Sequence, residues 1–280
     1  MDEQIYDKLA AAFEPLGRRA CPIYLKDDRG RVSLIGTGIP VIHGQRGMLV
    51  TATHVLTEFG REPVIIGGTA KILRFPIVSS GFSPHRDGRL DVDVTALALP
   101  AEAVTEMRGF YRFTTANELG KVDDEDKLTL YAFVGCPHSK NLSKPSAERR
   151  IQPYFYTTNA FGTLGDVTTP GKTELTHFVM RFPWKKTMGR GQLYSRAPKP
   201  QGISGCGVWK VRFDRHTGSA SEPELVGIGI EFIRESNVFV ATRTGPAAIA
   251  ISTLGKDLDA GKLGGTGLAL QPNDSDAPPC

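Results

Sequence analysis

Short apolar segments separated by glycine-rich breaks recur along this chain, and they constrain its fold more than any other feature. In the first half, five such segments lie at Ile23–Leu25, Val32–Gly36, Met48–Thr51, Pro63–Ile66 and Val92–Leu99. Regularly spaced strands with turn signals between them are typical of antiparallel barrels and sandwiches. The pattern therefore predicts antiparallel β-structure for the first half.

A second series of strand-like segments follows a charged stretch at Lys121–Lys127. These segments are Leu128–Val134, His177–Met180, Gly207–Val211, Leu225–Phe232 and Val238–Thr242. The charged stretch is interpreted as an exposed linker between two β-rich halves. The predicted domains are a first β-barrel at residues 21–120 and a second at 121–245.

Helices are predicted at both ends of this β-rich region. Ile5, Leu9, Phe13 and Leu16 recur at helical spacing, which predicts a helix over residues 1–20. A second helix is predicted over residues 246–260, starting at Pro246. Residues 261–280 are rich in Gly, Asp, Ser and Pro, and are predicted to be a disordered tail.

Composition excludes several classes of function. The 280-residue chain has a net charge of +4 and isolated basic pairs, so no nucleic-acid partner is expected. Its first residues are acidic and no apolar run approaches the roughly 20 residues that span a bilayer, so neither export nor membrane insertion is expected. The four cysteines are scattered, which predicts reduced thiols in a cytoplasmic protein and no metal or other cofactor.

Three short motifs have residue types that suggest chemistry. His54 follows an apolar strand that ends in Thr51-Ala52-Thr53. Asp93 begins an apolar strand, where a buried carboxylate would need a partner such as a histidine N–H. Asp91 competes with Asp93, because alternation along a strand places both on one face.

The third motif is Ser204 within Gly202–Trp209, where flanking glycines allow a tight turn before a strand. Such a turn can aim two backbone N–H groups at one point and leave the hydroxyl exposed. Each motif alone also fits a structural residue or an ordinary turn. Together they supply a nucleophile, a base and an orienting carboxylate in the order His, Asp, Ser, which is the order found in chymotrypsin.

These motifs resemble those of the trypsin/chymotrypsin superfamily of serine peptidases, and non-secreted bacterial trypsin-like domains most closely. Thr51–His54 is similar to its T-A-x-H motif, residues 93–97 to its D-[IVL]-A-[LV]-[LI] strand, and Gly202–Cys206 to its G-x-S-G-G motif. The resemblance implies two six-stranded antiparallel barrels with a cleft between them. It also implies a catalytic triad of His54, Asp93 and Ser204, with Gly202 and Ser204 N–H groups as the oxyanion hole.

Two departures from the family pattern bear on activity. Ile203 stands where zymogen-derived enzymes have an aspartate, so activation by chain cleavage is not expected and a protein partner or the substrate could order the loops instead. Cys206 stands where the motif has glycine, and its side chain could disturb the oxyanion loop. The flanking glycines nevertheless favour Ser204 over Cys206 as the nucleophile.

The resemblance further implies that the wall of a pocket for a peptide or protein substrate is formed by Pro198–Gln201 and by about Gly229–Phe232, with Gly229, Ile230 and Glu231 as the substrate-binding residues. If Glu231 faced that pocket, it would favour a basic substrate side chain. Two functions therefore remain open: a serine endopeptidase, and an inactive chymotrypsin-fold module that binds partners.

Overall fold

A computed structural model describes the folded chain over most of its length. The residues that it describes are 8, 11–26, 32–57, 64–67, 72–75, 79–82, 92–122, 129–140, 153–159, 161–162, 164–166, 172–182, 187–189, 192–195, 197–214, 217 and 219–261. Most of the predicted amino-terminal helix, Asp91 and the predicted tail beyond residue 261 lie outside these residues.

The first half forms one antiparallel sheet. Its strands are β1 (Cys21–Lys26), β2 (Val32–His43), β3 (Arg46–Thr51), β4 (Val64–Gly67), β5 (Ile72–Phe75), β6 (Ser79–Phe82) and β7 (Val94–Ala98), in the order β5-β4-β1-β2-β3-β7-β6. Only residues 76–78 separate β5 and β6, the two ends of this sheet. Counted as one bent strand, they close a ring of six strands between β4 and β7.

The second half closes in the same way. Its strands are β8 (Thr129–Gly135), β9 (Tyr154–Thr158), β10 (Phe161–Gly162), β11 (His177–Arg181), β14 (Gly207–Arg212), β15 (Glu224–Ile233) and β16 (Val238–Arg243), in the order β10-β11-β16-β15-β14-β8-β9. A separate hairpin pairs β12 (Thr187–Gly189) with β13 (Gln192–Ser195). Only residues 159–160 separate β9 and β10, so these two act as one bent strand that completes a ring between β8 and β11.

Both rings have the same strand order. When β5 and β6 are counted as one strand, and β9 and β10 as another, each ring has six strands. Numbered along the chain, their order around each ring is 1-2-3-6-5-4, and strand 4 pairs with strand 1. This repeat of one antiparallel order confirms the predicted mainly β fold with two six-stranded units. The strands β6, β9 and β10 are not among the segments predicted from the sequence; Ser79-Ser80-Gly81 in β6, for example, lacks apolar alternation.

Within the described part of the chain, helices α1 (Thr53–Thr57), α2 (Ala101–Arg108) and α3 (Thr244–Asp259) accompany the rings. A 3₁₀ helix, Glu14–Arg19, precedes β1, and helical residues 11–13 lead into it. The helix α3 buries Ala247, Ala250, Ile251 and Leu254, and it packs against β7 of the first ring and β15 of the second. Because one helix covers strands of both rings, it holds them in a fixed relation.

A buried arginine in the amino-terminal segment contacts two other parts of the chain. Arg19 is 2% exposed, and its guanidinium lies 4.9 Å from the centre of the Trp209 ring on β14. It donates to Thr114 Oγ1 at 3.3 Å and forms an ion pair with Glu118. The amino-terminal segment, the segment after α2 and the second ring are therefore linked through one side chain.

The ion pair between Arg19 and Glu118 should make stability sensitive to acid. Burial disfavours ionised Glu118, but hydrogen bonds from Arg19 and Thr115 outweigh it and lower the pKa of this carboxyl below 4.5. A group whose pKa is lowered by folding adds stability above its unfolded pKa, and that stability is lost as the pH falls through the folded value. We expect Glu118→Gln to lower the free energy of unfolding at pH 7 by about 2 kcal/mol, which is less than the loss for a fully buried pair. Below about pH 4.5, the free energy of unfolding of the variant should fall less steeply with pH than that of the wild type.

Urea unfolding between neutral and acidic pH measures this effect. Glu102→Gln, at an exposed position in the first turn of α2, is the matched control. If the Glu118→Gln and wild-type curves run parallel through the acid range, the carboxyl does not carry this pH dependence.

Candidate active site

His54 and Asp93 are joined by two contacts. His54 lies in the first turn of α1, immediately after β3, and Asp93 immediately precedes β7, the neighbour of β3. The backbone N–H of His54 donates to Asp93 Oδ1 at 2.9 Å, and His54 Nδ1 lies 2.5 Å from Asp93 Oδ2. Because a carboxylate only accepts, Nδ1 carries the proton, and in the neutral imidazole Nε2 then has the lone pair. The imidazole is thereby fixed in the orientation and tautomer of a general base.

Thr37 on β2 anchors the loop that carries Ser204. Its backbone N–H donates to Ser204 O at 2.8 Å, and its hydroxyl donates to Gly202 O at 3.0 Å. The same hydroxyl accepts from Cys136 N at 3.0 Å, and Thr37 O accepts from Thr51 Oγ1 at 2.8 Å. A single residue of the first ring therefore positions the serine loop of the second ring beside the strand that leads to the histidine.

The peptide before Gly202 is also held in place. Gln201 O accepts from His138 N at 2.7 Å. In a planar trans peptide the C=O and N–H groups point in opposite directions. The Gly202 N–H therefore points away from His138.

The peptide before Ser204 is oriented in the same manner. Ile203 O accepts from Cys206 N at 2.8 Å, so the Ser204 N–H points the other way. Within the part of the chain that the structure describes, neither the Gly202 N–H nor the Ser204 N–H donates to another group. Two adjacent unpaired N–H groups with fixed carbonyls are what an anionic oxygen requires.

Two glycines in this loop have backbone angles that other residues rarely adopt. Gly202 has φ +85° and Gly205 has φ +84°. A Cβ on Gly205 would lie 2.0 Å from Thr37 O and 2.1 Å from Thr51 Oγ1. Only glycine therefore allows the loop to approach the first ring this closely.

The hydroxyl of Ser204 donates to Ile230 O on β15, at 3.3 Å. This distance is long for a hydrogen bond between two oxygens. Little free energy therefore opposes rotation of the hydroxyl away from Ile230.

The side chains of His54, Asp93 and Ser204 border one cavity of about 700 Å³. Its lining residues are His54, Asp93, Lys172, Lys199, Pro200, Gln201, Gly202, Ser204, Ile230, Glu231, Phe232 and Arg234. The cavity thus brings together the histidine of the first ring and the serine loop of the second. Asp91, the alternative acid, lies outside the described residues.

The three residues predicted to contact substrate occupy two different places. Ile230 and Glu231 line the cavity. Gly229 lies behind the serine loop, where its carbonyl accepts from Gly205 N at 2.7 Å and its N–H donates to Cys206 O at 2.8 Å. Glu231 is paired with Lys172, whose Nζ lies 2.7 Å from Glu231 Oε2.

Cys206 does not disturb the loop, because two glycines make room for it. The side chain is fully buried among residues of the second ring. A Cβ on Gly135 would lie 2.9 Å from Cys206 Cβ, and a Cβ on Gly229 would lie 2.7 Å from Cys206 Sγ. Burial raises the pKa of the Cys206 thiol to about 12. A buried thiol in its neutral form is not a nucleophile.

The fit between Cys206 and Gly229 can be tested by a double-mutant cycle. We expect Gly229→Ala to lower the free energy of unfolding by about 1–3 kcal/mol, because the new methyl overlaps Sγ. In a Cys206→Ala background the same change should cost clearly less, because the sulfur is gone. Gly245→Ala, where a Cβ meets nothing within 4 Å, is the control. Additive losses in urea unfolding would show that the two sites are not in contact.

Lys199 and Phe232, which fall within the expected pocket wall, line the cavity, whereas three lining or anchoring residues are not predicted from the sequence: Thr37, Lys172 and Arg234. Thr37 lies between Gly36 and Gly38 on a strand, and this spacing of glycines is the signal that could have identified it. The cationic residues lie in polar segments that give no such signal.

Neither a metal site nor a membrane span is found in the described residues. No group of three or more His, Cys, Asp or Glu side chains there could hold a metal ion. None of the helices described combines the length and apolar character needed to cross a bilayer.

No protein-family model matches the chain, and no curated protein matches its sequence. Among solved structures it is similar to catalytically inactive tobacco etch virus protease complexed with substrate, at 12% identity over 87% of this chain and 86% of that chain, with a TM-score of 0.47. It is also similar to protease Anisep from Arthrobacter nicotinovorans (9% identity, 85% and 95% covered, TM-score 0.49). A third is the MamO protease domain from Magnetospirillum magneticum (13% identity, 86% and 98% covered, TM-score 0.44). These are chymotrypsin-fold proteases, and at such low identity the likeness is one of fold.

Proposed function

We propose that this protein is a serine endopeptidase of the trypsin/chymotrypsin superfamily that cleaves peptide bonds through an acyl-enzyme. The observation that supports this most strongly is the pair of contacts between His54 and Asp93, because in the neutral imidazole they place the proton on Nδ1 and the lone pair on Nε2, at the cavity that Ser204 also lines. A serine hydroxyl becomes a useful nucleophile only beside such a base.

The proposed reaction uses only groups of this chain, a substrate and water. Ser204 Oγ attacks the peptide carbonyl carbon while His54 Nε2 takes the hydroxyl proton, and the carbonyl electrons move to the oxygen. The Gly202 and Ser204 N–H groups hold that oxyanion. The carbon–nitrogen bond then breaks, and His54 returns the proton to the leaving amine.

Water completes the cycle by the same steps. His54 takes a proton from water, the resulting hydroxide attacks the acyl carbon, and the bond to Ser204 Oγ breaks as that oxygen regains its proton. Asp93 stays ionised throughout and stabilises the imidazolium. No metal or organic cofactor is needed for these steps.

The oxyanion loop needs no activating cleavage in this proposal. Ile203 is buried among apolar residues, and the carbonyls of Gln201, Gly202, Ile203 and Ser204 are all hydrogen-bonded within the chain. The loop is therefore held by packing and hydrogen bonds, without a charge supplied by a new amino terminus. A protein partner could still regulate access to the site.

The proposal predicts cleavage of unstructured peptides. Incubation of the purified protein with a mixed peptide library, followed by mass spectrometry, should reveal new termini. We expect Ser204→Ala to reduce the rate by about 10⁴-fold or more, whereas Ser219→Ala, at an exposed position, should not change it. A folded wild-type protein that cleaves no peptide of the library would contradict the proposal.

The second candidate function is partner binding without turnover. One observation favours it: the Ser204 hydroxyl donates to Ile230 O and must rotate before it can give its proton to His54. If peptides bind in the cavity but neither cleavage nor acylation of Ser204 occurs, this second function is the better description.

A further inference from the structure

The charges around the cavity are not balanced. Among the described residues, five charged side chains line it, three of them cationic and two anionic: Lys172, Lys199, Arg234, Asp93 and Glu231. Both carboxylates already have partners. Asp93 contacts His54, and Glu231 accepts from Lys172.

The pair of Lys172 and Glu231 is partly withdrawn from water. The Lys172 side chain is only 6% exposed, and its Nζ lies 2.7 Å from Glu231 Oε2. Removing one partner from a desolvated pair leaves the other charge poorly solvated, which is costly. Glu231 is therefore committed to Lys172, which argues against the basic substrate preference expected for it from the sequence.

Lys199 remains as a cation available to a ligand. It is exposed, and within the described part of the chain its ammonium group has no hydrogen bond or ion pair. It lies on the segment that leads directly to Gly202 and Ser204, and all three residues line the cavity. Arg234 adds a further positive charge on the segment after Ile230.

The two oxyanion donors determine where a substrate must lie. A carbonyl oxygen that reaches the N–H groups of Gly202 and Ser204 brings its own residue into the cavity. The side chain of that residue then enters the cavity that Lys199 lines, and among the described lining residues no carboxylate lacks a partner of its own. A ligand carboxylate gains a charge-assisted hydrogen bond there, whereas an ammonium group is repelled.

We infer that the cavity selects an acidic side chain, Glu or Asp, on the amino-terminal side of the bond to be cleaved, and that Lys199 is the residue that recognises it. The part of this inference that concerns cleavage rests on the proposed function. The binding preference itself does not need turnover.

Binding can therefore be measured first, in the Ser204→Ala variant. The probes are two blocked, otherwise uncharged peptides that differ at one residue, Glu or Gln. We expect the Glu peptide to bind about tenfold more tightly at low salt, and the ratio to shrink as salt rises from about 0.05 M to about 1 M. Lys199→Gln in the same background should bring the ratio close to one. Lys256→Gln, at an exposed position on α3 outside the cavity, should leave the ratio unchanged.

Cleavage of the same pair by the wild-type protein gives the second measurement. We expect kcat/KM for the Glu peptide to exceed that for the Gln peptide by about tenfold, and Lys199→Gln to reduce that ratio. If the Ser204→Ala protein binds both peptides equally, or prefers the Gln peptide, the inference is wrong whether or not the wild type is active. If it prefers the Glu peptide and the wild type cleaves neither, the inference stands and the proposed catalytic function fails.

Discussion

Replacement of Asp93 by asparagine should lower kcat/KM by about 10⁴-fold while leaving the fold intact. The amide oxygen of asparagine can still accept from the His54 N–H, as Asp93 Oδ1 does at 2.9 Å. The amide NH₂ would then face His54 Nδ1, where a carboxylate oxygen lies 2.5 Å away in the native protein. Two donors cannot share that contact, so Nδ1 must give up its proton and Nε2 must carry it. A protonated Nε2 cannot accept the proton of Ser204.

The loss is measured by steady-state hydrolysis of a peptide substrate, with thermal unfolding as a check on the fold. Asp259→Asn makes the same chemical change at an exposed residue that pairs with Arg46, and it should leave kcat/KM unchanged. An Asp93→Asn protein with nearly full activity would show that Asp93 does not orient the histidine. Asp91 would then be the candidate for that role.

Introduction of a single methyl group at Gly205 should abolish activity and destabilise the protein by several kcal/mol, roughly 3 or more. The Cβ would lie 2.0 Å from Thr37 O and 2.1 Å from Thr51 Oγ1, far inside contact distance, and the φ of +84° disfavours any side chain. To relieve the overlap, the serine loop must move away from β2. That movement would break the hydrogen bond between Thr37 N and Ser204 O.

Gly44→Ala separates the cost of backbone strain from the cost of the overlap between the new Cβ and the first ring. Gly44 also has a positive φ, +59°, but a Cβ there would meet nothing within 4 Å. It should therefore cost only about 1 kcal/mol of backbone strain and keep full activity. Equal losses of stability for both variants would mean that backbone strain, and not the contact with the first ring, makes Gly205 necessary.

Much of the fold follows from local patterns in the sequence. The alternation of short apolar strands and glycine-rich breaks predicts the mainly β fold, and the resemblance of three motifs implies two six-stranded units. What the sequence does not show is how each ring closes. The strands β5 and β6 pair with β4 and β7 on opposite sides of the sheet, and β9 and β10 pair with β8 and β11 in the same way, which is a property of the whole ring.

In the candidate site, too, some features follow from local sequence and others depend on residues that are distant in the chain. His54, Asp93 and Ser204 are predicted from residues immediately around them, and the structure places all three at one cavity. The effect of Cys206 could not be predicted, because the space for it comes from Gly135 and Gly229, which are remote in sequence.

Ion pairs between residues that are far apart in the sequence cannot be predicted from local patterns either. Lys172 and Glu231 are 59 residues apart, and nothing around either one indicates that they meet. The expected preference of Glu231 for basic side chains assumed a free carboxylate, and the pairing removes that assumption.

Phosphonylation of Ser204 by a fluorophosphonate probe, in which the serine oxygen bonds to phosphorus and fluoride leaves, tests the proposed nucleophile most directly when the adduct is located by mass spectrometry of a peptide digest. We expect one adduct in the wild-type protein, on Ser204, with none in the Ser204→Ala variant. Cys206→Ala should label like the wild type, because that thiol is buried away from the cavity. A folded wild-type protein that gains no adduct, or an adduct that persists in Ser204→Ala, would contradict the assignment of Ser204 as the catalytic nucleophile.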